Sequence, residues 1–111
     1  MEPGNLKFSF NWNKKLDCET AFSTIRLKSG KYYLGAKFHY WLEERGEVTK
    51  KGFATVVYVH HLKIEQITEA MARLDTGYSR DKCIDMIKTM YKNIVKNWDT
   101  QELTFMVLVK E

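Results

Sequence analysis

The chain has 111 residues, 44% of them hydrophobic and 14% aromatic, with 18 Lys/Arg against 14 Asp/Glu; that is enough apolar material for one core without disulfides or metal. No Pro/Gly/Ser-rich stretch divides it, so residues 1–111 read as a single domain. No apolar run approaches the roughly 20 residues that cross a bilayer, Met1-Glu2-Pro3-Gly4 leads into no signal-peptide core, and Cys18 and Cys83 lack metal-ligand spacing; the expectation is a cytoplasmic protein without membrane partner or cofactor.

Leu6-Lys7-Phe8-Ser9-Phe10 alternates apolar and polar residues, the period of a half-buried strand. Asn11 to Thr20 is polar and reads as a loop. Phe22 to Leu27 is the next strand. Ser29-Gly30-Lys31 supplies a turn, and Gly35 precedes a strand over Lys37–Leu42 with Phe38, Tyr40 and Leu42 on one face. Glu44-Arg45-Gly46-Glu47 and Lys50-Lys51-Gly52 bracket a hairpin connection, after which Phe53 to His60 is apolar on both faces and is predicted to be buried on both. From Ile64 the period becomes helical: Ile64, Ile67, Met71 and Leu74 mark an amphipathic helix ending near Gly77. Ser79 caps a second helix with Cys83, Ile84, Ile87, Met90 and Tyr91 as its buried stripe and Arg80, Asp81, Asp85 and Lys88 in water. Leu103 to Val109 is a last strand, apolar enough for the middle of a sheet.

The order β-β-β-β-α-α-β predicts an α+β fold, a small, curled, mostly antiparallel β-barrel with two helices inserted before the last strand. Closure removes exposed sheet edges.

Charge is unevenly spread. Residues 1–63 hold 11 Lys/Arg against 6 Asp/Glu, whereas residues 64–111 hold 7 against 8. The basic excess permits a nucleic-acid partner, although lysines on exposed strands also keep sheet edges soluble. Phosphate-binding glycine loops, G-x-S-x-G, H-E-x-x-H and dinucleotide fingerprints are absent. His60 and His61 are neighbours on a strand and face opposite ways, which argues against a metal pair, and no two-His constellation supports an RNase.

Phe22-Ser23-Thr24-Ile25-Arg26, Tyr33-Leu34-Gly35-Ala36-Lys37-Phe38, and Leu74-Asp75-Thr76-Gly77-Tyr78-Ser79 with Met86-Ile87-Lys88-Thr89-Met90-Tyr91 stand in an order and spacing that resemble the ASCH domain, a branch of the PUA-like barrels. The resemblance runs from about Phe10 to Leu108. It implies RNA or a nucleotide or modified nucleoside as ligand; some similar proteins hydrolyse the amide of N4-acetylcytidine through a Lys-x-x-Thr pair and an acid before the second helix. Thr24 matches the threonine, Arg26 the arginine two residues on, and Asp75 the acid. Ala21 stands where the lysine belongs. A threonine hydroxyl needs a base to take its proton, so catalysis through Thr24 and Asp75 calls for Lys14 or Lys15 from the preceding loop, or for Asp75 itself as the base. The leading expectation is a binding module in which Arg26, Lys14, Lys15, Lys28, Trp12 and Tyr78 contact the ligand; an amidohydrolase is the alternative.

Each candidate also has a plain structural reading. Thr24 suits strand packing, Asp75 suits a turn before Gly77, and most rings of so small a domain belong in its core.

Overall fold

A computed structural model describes residues 3–18 and 20–111, with the side chains of Asn13 and Cys18 outside the described part, so the reading of Cys18 lies outside it too. In chain order the elements are β1 (Gly4–Phe8), a 3-10 turn (Trp12–Lys14), α1 (Lys15–Cys18), β2 (Ala21–Leu27), β3 (Lys37–Glu44), β4 (Glu47–Lys63), a second 3-10 turn (Ile64–Gln66), α2 (Glu69–Thr76), α3 (Arg80–Met90) and β5 (Glu102–Lys110). The fold is α+β, a five-stranded mixed sheet in the order β1-β3-β4-β5-β2 with three α-helices. All pairings are antiparallel except that of β1 with β3.

The expected closure is not reached. No backbone ladder joins the outer strands β1 and β2, so the sheet is curled but open. The curl nevertheless brings them within a side chain's reach: Arg26 Nη2 on β2 donates to Lys7 O on β1 at 2.9 Å.

Curl and local geometry follow from β4, whose first half pairs with β3 and second half with β5. Two register shifts bend it, one opposite Tyr40/Trp41 and one between Val56 and Tyr58. A bulge inserts an unpaired residue and breaks the strict alternation of faces. That corrects the reading of Phe53–His60 as doubly buried: Ala54 and Val56 are buried, but Val57 and Tyr58, side by side at the bulge, are both 48% exposed. The first bulge leaves Lys51 without a β3 partner, and its Nζ reaches Asp17 of α1 at 2.7 Å.

The sheet packs apolar side chains on both faces. Leu6, Phe8, Phe22, Phe38, Tyr40, Leu42, Val56, Met106 and Leu108 fill the concave side. Ile25, Leu62, Leu103 and Phe105 meet Ile64, Ile67, Ala72, Cys83 and Ile87 on the helical side.

The helical signals hold at the caps and fail on two exposed residues. Ser79 Oγ accepts from Lys82 N, and Gly77 ends α2 in the left-handed conformation at φ 82°. The expected continuous first helix is a 3-10 turn followed by α2, interrupted at Ile67-Thr68, where the Thr68 hydroxyl caps Met71 N. This break rotates the stripe, so Leu74 points to solvent at 68% exposure; Met90, expected to be buried, is 50% exposed at the last turn of α3. Arg80, expected in water, donates to Ile67 O at 2.6 Å and Glu65 O at 2.7 Å, satisfying carbonyls left open at that break. No helix among the described residues is long and apolar enough to cross a membrane.

A side chain at Gly77 would strain the left-handed cap by about 1–2 kcal/mol. Gly77→Ala is expected to lose that much stability in urea denaturation, whereas Gly30→Ala, which meets nothing within 4 Å, is expected to stay within about 0.5 kcal/mol of the native chain.

Candidate functional site

The polar stretch read as a loop contains the element that builds the site. Asn11 folds back on it, its Oδ1 accepting from Leu16 N at 2.9 Å and its Nδ2 donating to Asp17 Oδ2 at 2.8 Å. Lys110 Nζ donates to Leu16 O at 2.8 Å, and the Leu16 side chain is buried in the concave core. Together with Lys51–Asp17, these contacts fix the single turn of α1, which is too short to stand alone. Lys14, just before it, adopts φ 54°, an uncommon left-handed conformation for a residue with a Cβ. Beyond that kink the exposed Lys14 gives way to the buried Lys15.

Lys15 is only 4% exposed, and Asp75 6%. Lys15 Nζ donates to Ser23 O at 2.7 Å, Asp75 O at 3.0 Å and Asp75 Oδ1 at 3.1 Å, so one ammonium ties α1, β2 and the end of α2 together. Ser23 Oγ donates to the same Asp75 Oδ1 at 3.0 Å. Burial pulls the Lys15 pKa below its ordinary 10.5, and the Asp75 carboxylate pulls it back up.

On the other face of β2, Arg26 Nε donates to Thr24 Oγ1 at 3.1 Å while Nη2 crosses to Lys7 O. Its guanidinium lies 4.7 Å from the Phe8 ring centroid, and Lys15 Nζ lies 5.4 Å from the same centroid. Between these groups and α3 is a cleft of about 90 Å³, lined by Phe8, Trp12, Lys15, Thr24, Arg26 and Asp75 and walled by Cys83, Met86, Ile87 and Tyr91. Burial pushes the Cys83 thiol up to about 11, the Asp75 charge adding to the effect, so this cysteine is a poor nucleophile near neutral pH. Burial likewise raises the Tyr91 pKa above 10, leaving its phenol a donor. The cleft therefore presents the Thr24 hydroxyl, the Lys15 and Arg26 cations, the Asp75 carboxylate and the Tyr91 phenol at the seam where the sheet stays open.

The candidate residues divide accordingly. Thr24, Arg26, Asp75, Lys15 and Trp12 meet in the cleft. Tyr78 stands behind Trp12, edge-on at 5.9 Å between ring centroids. Lys14 is exposed and does not line the cleft, and Lys28 pairs with Glu102 at 3.4 Å beside a different depression. The expected rim of phosphate-facing lysines is thus not assembled. Phe8, Tyr91 and Met86 are not among the expected site residues; Phe8 reads as part of a half-buried strand and Tyr91 as part of the buried stripe of α3, while Met86 belongs to the segment that carries the resemblance. His61 Nδ1 is 2.9 Å from Thr104 Oγ1, and no metal-ligating cluster occurs among the described residues.

No protein-family model matches the chain, and neither a curated protein nor a solved structure matches it.

Removing one partner of a buried ion pair strands the other charge, a loss of about 3–5 kcal/mol. Lys15→Met is expected to lower stability by that amount in chemical denaturation at pH 7, and Lys15→Met/Asp75→Leu to recover most of it.

Proposed function

We propose that the chain is an ASCH-like, PUA-related domain whose cleft takes the acyl amide of a modified nucleoside, an N4-acylated cytidine, and hydrolyses it at Thr24. The observation that carries this reading is Lys15: the amine that Ala21 cannot supply arrives from α1 and lies buried in the cleft that contains Thr24 and Asp75. The mostly antiparallel sheet with α2 and α3 before the last strand supports the family reading as far as α+β class and element order go; the closed barrel expected of that family is not formed, and Arg26 bridges the open seam.

The residues divide the chemistry as follows. The reacting form is the one in which Lys15 has lost its proton: Thr24 Oγ attacks the acyl carbonyl carbon while its proton passes to the free Lys15 amine. Arg26 and the Tyr91 phenol donate to the oxygen that becomes negative. The C–N bond then breaks, and Lys15 returns the proton to the departing exocyclic amine of the base. Water gives a proton to the same lysine and adds to the acyl carbon; the C–O bond to Thr24 breaks, the acid leaves, and Lys15 returns the proton to Thr24 Oγ. In the resting geometry Lys15 spends its donors on Ser23 O and Asp75, so ligand entry has to draw the amine toward Thr24; catalytic contacts commonly tighten only in the complex.

Full occupation of those three donors favours a second reading, in which the pair is purely structural and a nucleoside binds with only its acyl amide in the cleft and is not turned over. The unassembled lysine rim supports a small ligand over an RNA strand in either case.

Incubation with N4-acetylcytidine, followed by chromatography, separates the two. Cytidine and acetate are expected from the native chain and not from Thr24→Ala. No cytidine from the native chain, or an undiminished yield from Thr24→Ala, removes the hydrolase; saturable nucleoside binding would then leave the binding module.

The pH profile has a fixed sign. Because burial lowers the Lys15 pKa, the free amine appears at lower pH than in an exposed lysine, and the Thr24-dependent rate rises with pH along a limb whose midpoint lies below 10.5. The same shift makes the unfolded chain hold that proton longer, so the Lys15 contribution to stability grows as pH rises toward 10.5.

A further inference from the structure

The cleft is too small for the ligand that its chemistry suits. About 90 Å³ is the volume of a few water molecules and far below the roughly 300 Å³ at which small-molecule pockets begin. An acyl amide fits; a nucleoside does not. Whatever carries the amide must lie outside, and the surface next to the cleft is shaped for it. A groove of about 440 Å³ runs from Trp12 along α3 past Lys82, Met86 and Met90. It shares Trp12, Met86 and Met90 with the cleft, so the two adjoin at these side chains.

We infer that this groove is the ring-binding half of the site, holding the planar nucleobase of a neutral nucleoside between Trp12 and the methionines while its acylated amine enters the cleft. This deepens the proposed hydrolase and rests on that reading for the group placed in the cleft. Three observations support it. Trp12 is held as a platform by its neighbours, with Phe10 at 4.4 Å and Tyr78 edge-on at 5.9 Å. Phe10 and Met90 are about half exposed, at 52% and 50%, leaving apolar surface in water that a flat ring would cover. The charges in the groove, Lys82 and Asp85, are opposite, and Lys82 Nζ is already drawn 4.1 Å over the Tyr78 ring. A groove with balanced charge suits an uncharged nucleoside and gives a phosphate no gathered cations.

The ring and the catalytic groups are tested separately. Calorimetric titrations use Thr24→Ala as the non-hydrolysing parent, with N4-acetylcytidine, cytidine 5′-monophosphate and the ring-free amide N-methylacetamide as probes. Stacking on an aromatic side chain predicts that adding Trp12→Ala weakens N4-acetylcytidine binding roughly ten- to a hundredfold, with the same direction for Met90→Ala, an exposed position where folding is not at stake. N-methylacetamide binding is expected to fall by a much smaller factor, since Trp12 borders the cleft as well as the groove, and the 5′-phosphate to bring no gain. In the otherwise native enzyme, Trp12→Ala is expected to raise KM by a larger factor than it lowers kcat. Equal N4-acetylcytidine affinity with and without Trp12 and Met90 overturns the groove, and Thr24-dependent hydrolysis in the same chain would then leave the hydrolase standing. Trp12-dependent binding in a native chain that forms no cytidine gives the converse, a ring site without the reaction. A phosphate-driven gain in affinity overturns the neutral-nucleoside assignment.

Discussion

The buried pair of Lys15 and Asp75 is the interaction on which the site depends. A charge inside a protein is tolerated when its hydrogen-bonding capacity is met, and here an ammonium with three donors finds three acceptors on two elements distant in sequence. That requirement fixes where α1 sits on β2 and where α2 must end. Gly77 ends α2 in the left-handed conformation two residues after Asp75, and Ser79 starts α3, which walls the cleft. The ion pair is therefore both a clamp between secondary-structure elements and the polar floor of the cavity.

A second constraint is the open seam between β1 and β2. Had the backbone ladder closed, its hydrogen bonds would occupy the space where Thr24 and Phe8 line the cleft. Instead, one arginine spans the gap, bound to Lys7 O on one strand and Thr24 Oγ1 on the other, with Phe8 beneath its guanidinium. A planar, multi-donor group can bridge two strands and still present an edge to a ligand, which a lysine could not. The open seam and the cleft are thus one feature.

Much of this was legible in the sequence where side-chain periodicity is strong. Phe38, Tyr40 and Leu42 announce the buried face of β3, the apolar run at Leu103–Val109 a central strand, and Ser79 the cap of α3. Thr24, Arg26 and Asp75 were marked as neighbours by the resemblance, and they do line one cavity. The failures have local causes. Bulges turn Val57 outward, and the break at Ile67-Thr68 turns Leu74 outward, neither of which a period reveals. The turn of α1 has no amphipathic stripe because it is one turn long; Asn11, Lys51 and Lys110 hold it through contacts that only the tertiary fold creates. Lys15 was named as a candidate, but nothing in Asn13-Lys14-Lys15 distinguishes the buried lysine from its exposed neighbour. The left-handed kink at Lys14 makes that distinction.

The central claim is that the Lys15 amine does the work for which Ala21 is unsuited, and chemical rescue tests it most directly. Lys15→Ala opens a cavity beside Asp75 into which a small primary amine such as propylamine can enter. Hydrolysis of N4-acetylcytidine is expected to be lost in Lys15→Ala, to return in part with added propylamine in its unprotonated form, and to vanish again in Lys15→Ala/Thr24→Ala under the same conditions. Native rates in folded Lys15→Ala without any amine would contradict the claim, since the cleft would then be working without the lysine.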